Sequence, residues 1–225
     1  MRTSARSRQG LRPRALASLA VAAAGCGSVT SYHSAETLPR GRWHLQAALS
    51  AGAYKDTPQQ SQTPSAQLEL SARVGVASHT DLGVKLYTLG AEASARHRLF
   101  DGTDAGRRRG FAVALTAAAG GVRTSGQGSL PELDLLQARA GVFATFRRTS
   151  CLTFTVGAVT TGSLLVPAGG GHATGLLGGG VVNLDWQLSQ RWHLVPELSI
   201  HRSLTGEVPV DGAVAQAGVA LGFDL

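Results

Sequence analysis

Residues 191–204, RWHLVPELSIHRSL, alternate strictly between apolar and polar positions. Trp192, Leu194, Pro196, Leu198, Ile200 and Leu204 share one parity, interrupted by Arg202; His193, Val195, Glu197, Ser199, His201 and Ser203 share the other. Successive side chains of a strand point to opposite faces, so this stretch is a strand with one greasy and one mostly polar side. The same period recurs from Arg42 onward and predicts ten strands, at 42–54, 66–77, 82–89, 91–100, 111–120, 132–147, 152–161, 173–188, 191–204 and 213–225. In the sixth the phase slips at Leu135-Leu136, which predicts a bulge. No segment has helical periodicity long enough to compete.

The connections have two characters. Residues 55–65 (KDTPQQSQTPS), 101–110, 121–131 and 163–172 are polar or rich in Pro and Gly and read as loops. The connections after the second, sixth and eighth strands (SHTD, RRTSC, LSQR) are tight. An even strand number leaves both chain ends on one side, with most long loops on the other. The predicted fold is an all-β, antiparallel, up-and-down barrel of ten strands, eight or twelve being the alternatives.

Composition changes the picture at the N-terminus. Residues 1–14 carry Arg2, Arg6, Arg8, Arg12 and Arg14 and no acid, and 15–24 form an apolar run too short to span a bilayer. This is the form of a bacterial export signal, and it sets the divisions: 1–25 signal peptide, 26–41 tether, 42–225 barrel. Removing the signal takes five of the 21 basic residues and none of the 14 acids, so the net charge falls from +7 to +2. That leaves no basis for nucleic-acid binding. The ending Ala23-Ala24-Gly25-Cys26 resembles the lipobox of bacterial lipoproteins, with Ala23 where the family usually has Leu. The resemblance implies acylation of Cys26 and anchoring on the periplasmic side, with 27–41 as the tether. Cys151 is then alone, and no Cys/His spacing suggests zinc.

Alternation does not say whether the greasy face looks into a core or out into lipid. Two further features favour lipid. Trp43, Phe111, Phe146, Phe154, Trp186, Trp192 and Phe223 all fall at or near the strand ends assigned to the periplasmic side, as an interfacial aromatic girdle requires. The last strand keeps Ala213, Ala215, Ala217, Val219, Leu221, Phe223 and Leu225 in phase up to the terminus. Here the chain resembles the Gram-negative outer-membrane β-barrels, whose final strand alternates and ends in an aromatic; this one ends on Leu, with Phe223 two places in. The resemblance implies a place in the outer membrane among its lipid and lipopolysaccharide, and recognition by the barrel-insertion machinery.

With the apolar face outward, the lumen receives Glu69, Arg73, Lys85, Glu92, Arg96, Arg98, Arg139, Asp185, Glu197 and His201. Near-balanced charge in a narrow lumen predicts an ion-pair plug, because unpaired buried charges are costly. A small anion-preferring conduit past Arg73, Lys85, Arg96 and Arg139 is the alternative. The sharpest catalytic pattern is His201-Arg202-Ser203 with Glu207 following. It resembles the outer-membrane lipid A deacylases, which implies Ser203 as nucleophile, His201 as base and Glu207 as orienter; that family has Asn where this chain has Leu204. The reading adopted is an outer-membrane barrel lipoprotein of structural, surface-interaction or small-solute-passage role, with no identified catalysis and no cofactor or metal. The alternatives are a lipid A deacylase-like esterase and a soluble periplasmic barrel lipoprotein binding an apolar ligand.

Overall fold

The computed structural model describes residues 30–54, 63–88, 90–102, 110–125, 132–167, 170–206 and 213–225. Ten strands follow one another: β1 (Trp43–Tyr54), β2 (Thr63–Ala77), β3 (Thr80–Tyr87), β4 (Gly90–Asp101), β5 (Gly110–Ser125), β6 (Glu132–Arg147), β7 (Leu152–Pro167), β8 (Ala173–Gln187), β9 (Trp192–Gly206) and β10 (Ala213–Asp224). Each pairs antiparallel with its chain neighbours, and β1 closes the sheet on β10, with Ala48 opposite Ala220. Closure leaves no unpaired sheet edge, which is what a strand-built wall in lipid requires.

The alternation sorts the wall as the sequence predicts. Leu49 and Leu68 are each 59% exposed, Leu198 49% and Trp186 51%, and Leu194 and Val182 also lie on the outer face. Glu197 and Arg96 are buried inside. Apolar side chains therefore cover the outer surface and ionic ones line the interior, the reverse of a soluble barrel. At the rim that carries both ends of the sheet the aromatics meet around the wall: Phe100 with Phe111 (ring centroids 6.0 Å apart), Phe111 with Phe146 (5.0 Å) and Trp192 with Phe223 (4.8 Å). Arg202 is exposed on the outer face four residues below the end of β9.

Three differences from the sequence expectation have physical causes. First, β5 and β7 run on to Ser125 and Pro167, through residues expected in loops. Gly120, Gly121, Gly162 and Ser163 weaken the local signal, but each has a strand partner: Gly121 faces Leu136, and Ser163 faces Gln137. Second, there is no bulge at Leu135-Leu136; β6 pairs without interruption from Glu132 to Arg147. Both leucines are apolar because both faces are apolar at that level. Leu135 points inward in a row with Val122 and Leu165, all buried, while Leu136 points outward. The register shifts fall instead at Gly75/Ala77, Arg98/Phe100 and Leu176/Leu177. Third, residues 30–41, expected as a tether, enter the barrel.

An arginine on the lipid face of a barrel costs about 2–4 kcal/mol at the bilayer midplane. Leu198→Arg, at mid-height on β9, is expected to destabilise the folded barrel by about that amount, measured by urea titration in lipid vesicles. An unchanged midpoint would mean that this face does not meet lipid.

Candidate functional site, a strap through the lumen

Residues 30–41 lie in the lumen, from Thr30 beside Glu69 to Gly41 at the barrel end where β1 begins. The base is fixed at Gly75. Gly41 donates its N–H to the Gly75 carbonyl (2.8 Å), Gly75 donates to the Arg42 carbonyl (3.0 Å), and Arg40 forms a parallel bridge to it. A Cβ at Gly75 would stand 2.1 Å from the Pro39 carbonyl oxygen, so glycine is required for this close approach. Gly41 turns the chain at φ +79°.

From there the strap climbs by hydrogen bonds to inward side chains from strands all around the barrel. The Leu38 N–H donates to Asp81 (3.2 Å), and Arg147 pairs with Glu36 (2.7 Å). The Ala35 N–H donates to Thr145 Oγ1 (2.6 Å). Arg96 donates to the Ser34 carbonyl (2.6 Å) and Asn183 to the His33 carbonyl (2.7 Å). The N–H groups of Ser31 and Tyr32 converge on the two carboxylate oxygens of Glu197, at 2.6 and 2.5 Å. Tyr32 adopts φ +47°, and a left-handed residue of this kind aims successive N–H groups at one anion. At the top Thr30 Oγ1 donates to Glu69 (2.7 Å), and Lys85 donates to the Thr30 carbonyl (3.0 Å).

Apolar contacts complete the fit. Ala35, wholly buried, sits among Ala112, Ala114, Phe143, Val159 and Val181. Tyr32 packs on Ala48, Val195 and Ala220 beside Gly218, where a Cβ would strike its hydroxyl. Alongside the strap remains a cavity of about 20 Å³, lined by Tyr32, Glu69, Arg73 and Lys85 among others. That is room for about one water.

The charges expected in the lumen face inward, and four of them, Glu69, Lys85, Glu92 and Arg139, meet each other. Lys85 lies 3.6 Å from both Glu69 and Glu92, and Arg139 is 3.3 Å from Glu92. Arg96 pairs with Asp81, which the sequence reading had left in a turn. Arg98 pairs with Asp101 at 2.7 Å near the periplasmic rim. Asp185 is also at that rim, 2.9 Å from His193, which in turn bridges to Asp224 and so to His44. Arg73 is held between strands, its stem against the position of Gly83. Glu197 has no basic partner within ion-pair distance among the described residues; the strap's N–H groups, Ser31 Oγ (3.3 Å) and Asn183 (3.3 Å) take that role.

His33 on the strap is pushed well below its ordinary pKa, first by burial and then by Arg73, Arg96, Lys85 and Arg139. It is therefore neutral at neutral pH. Its ring stands edge-on to Phe143 at 5.8 Å.

Of the catalytic pattern, His201 and Ser203 lie among the described residues. His201 is buried on the lumenal face, but neither ring nitrogen has a hydrogen-bond partner, Ser203 included. Glu207, Cys26 and the export signal lie outside the described residues. Among the described residues no group of three or more His, Cys, Asp or Glu is arranged to hold a metal.

The sequence reading missed the strap, together with Asp81, Thr145 and Asn183 that grip it. The available signal was compositional: Thr30-Ser31-Tyr32-His33-Ser34-Ala35 has no Lys, Arg, Pro or Gly, unlike a solvated linker.

No protein-family description matches this chain, and no curated protein matches it. Solved structures do. The transport unit of the autotransporter AIDA-I from Escherichia coli is similar over 95% of this chain and 99% of that one, with 9% identity and a TM-score of 0.54. Ail, the attachment invasion locus protein of Yersinia pestis, is similar over 83% and 99%, with 12% identity and a TM-score of 0.38. Neisserial surface protein A is similar over 82% and 99%, with 13% identity and a TM-score of 0.40. At such identities the likeness is one of fold. By its closed ten-stranded wall, greasy outside and ionic within, and by its likeness to the autotransporter's transport unit, this chain has the fold of an outer-membrane β-barrel.

Proposed function

We propose that this protein is a closed outer-membrane barrel that acts through its exposed surface, its lumen being shut by its own N-terminal strap. The observation that carries this reading is the pair of strap N–H groups on the buried carboxylate of Glu197. A carboxylate in a dry lumen needs charge-assisted hydrogen bonds, and removing its donors leaves a costly unpaired anion. The strap is thus part of the electrostatic design of the wall. Passage of small solutes then requires its withdrawal. His201 and Ser203 make no contact that supports an esterase, and no catalysis is proposed.

Export and acylation of Cys26 belong to the same proposal, with one consequence. Four Cα–Cα steps separate Cys26 from Thr30, and an extended chain of that length reaches about 14 Å at most. The docked strap itself takes the eight steps from Leu38 to Thr30 to climb from Asp81 to Glu69. A leash half as long does not return to the periplasmic leaflet. A filled lumen and a periplasmic acyl anchor at Cys26 are therefore alternative states of the chain, and the filled lumen is the one with the hydrogen bonds.

Two outcomes are expected in planar bilayers. The full mature chain shows no steady conductance, whereas deletion of residues 30–38 opens a small ion-conducting barrel that still shows heat-modifiable migration on a gel. Equal conductance of the two forms would refute closure by the strap. The second outcome concerns pH. Because the docked pKa of His33 lies below the ordinary 6.5, docking is favoured fully above that value and loses stability as pH falls through and below it. Protonation would add a fifth positive charge beside Arg73, Lys85, Arg96 and Arg139, with Glu197, Glu69, Glu92 and Asp81 the acids of the same compartment. Openings are expected to increase between pH 6.5 and 4.5 in the wild type and to be suppressed in His33→Gln, which keeps a polar side chain that does not titrate. Identical acid responses in the two would sink the role of His33.

A further inference from the structure

The outer wall is not uniformly covered. One cross-strand row runs Ala95–Ala117–Ala140–Thr160–Gly178, each residue paired with the next across β4 to β8, and all of them point away from the lumen. The row above it contains Ala93, Ala119, Ala138 and Gly162, paired in the same way. Elsewhere the outer face carries Leu49, Leu68, Leu198 and Ile200, each about half exposed or more. The result is a trough of about 730 Å³ in the lipid-facing wall, floored by alanine and glycine and bordered by Leu115 and Val142.

Its location fixes the medium, because this face meets hydrocarbon. Its direction and its lower end select the occupant. Five strands at about 4.8 Å spacing make the trough about 19 Å long. Strands tilted by about 40° carry it upward by about 12 Å. That rise fits within the roughly 15 Å hydrocarbon depth of a single leaflet. The lower end lies at the periplasmic side, where Thr80 and His97 border the trough just after the β2–β3 turn. Thr80 Oγ1 and His97 Nδ1 are 2.9 Å apart on the exposed face. With the hydroxyl donating to Nδ1, the imidazole keeps an Nε2–H for an outside acceptor. A polar donor at the interface and an oblique apolar trough behind it match a headgroup phosphate and one acyl chain.

We propose that this trough binds one phospholipid of the periplasmic leaflet, an acyl chain lying on Ala117 and Ala140 and the phosphate accepting from His97. The neighbouring groove of about 550 Å³, lined by Leu45, Leu70, Trp192 and Phe223 among others, lacks a His–Thr pair and offers the Trp192 indole N–H instead. The inference rests on the wall alone and is independent of the strap.

The test is native mass spectrometry of the full chain released from membranes in mild detergent. The wild type is expected to carry one phospholipid per barrel. Ala117→Leu with Ala140→Leu fills the trough with residues that suit a lipid face and is expected to lower the lipid-bound fraction at least tenfold. His97→Ala is expected to lower it several-fold, and Ala51→Leu on the β1 wall to leave it unchanged. Heat-modifiable migration reports that each variant has folded. The proposal is overturned by a wild type that carries no lipid, by equal retention in the filled variant, by lipopolysaccharide in place of phospholipid, or by a dimer of barrels that the filling substitutions dissociate.

Discussion

The structure depends on one constraint: in hydrocarbon a backbone N–H or C=O has no water to turn to, so every one must find its partner within the sheet. Ten strands meet it by closing β1 on β10. Closure creates a second problem. A barrel of this size is wider than the smallest ones, whose side chains fill the interior unaided, yet far short of the strand number that gives a broad aqueous channel. Side chains alone leave space near the axis, and the strap occupies it. The inward face is accordingly neither a water channel nor a simple ion-pair lattice. It is a small core assembled around a segment of chain, with Ala35 and Tyr32 as its apolar contacts and Glu197 and Glu69 as its anchors.

That core explains departures from strict alternation. A lumen filled only by water would have little use for Phe143, Val159 and Val181 on the inward face, yet all three are buried there. Gly157 makes the arrangement workable, since a Cβ at that position would stand 2.5 Å from the Phe143 ring. Gly75 and Gly218 do the same for Pro39 and Tyr32. Several glycines of this glycine-rich chain therefore mark places where something else approaches the wall from within. In a strand, glycine otherwise weakens the sheet for no return.

The wall was legible in the sequence because period two is imposed on every crossing by the same two media. Leu194, Leu198 and Ile200 against Val195, Glu197 and Ser199 require no knowledge of the neighbours. Strand limits were less legible at β5 and β7, where Gly120, Gly121 and Gly162 look like turn residues locally but are held by pairing across strands. The strap was hidden for a different reason. It has no period, because its backbone is gripped by different strands along its length: at Ala35 by Thr145 on β6, at His33 by Asn183 on β8, at Leu38 by Asp81 on β3. Its grip is mostly through backbone N–H and C=O groups, which every residue carries and no sequence pattern distinguishes. The His201-Ser203 pattern shows a converse limit of period-two reading. Period two does put both residues on one face, but a shared face is not a shared hydrogen bond, and His201 lacks one.

The ionic network decides how strap and wall depend on one another. Lys85, Glu69, Glu92 and Arg139 form a connected set without the strap, so their mutual attraction survives its absence. Glu197 differs, because its oxygens are met chiefly by Ser31 and Tyr32 N–H groups and by neutral Asn183. With the strap gone, that carboxylate would be buried with one amide for company, a state that either admits water or takes up a proton. An empty lumen is therefore a wet lumen, and the dry state and the docked state are the same state. Closure in this barrel is consequently a property of about a dozen residues outside the sheet, acting through one carboxylate on β9, while the sheet itself is complete without them.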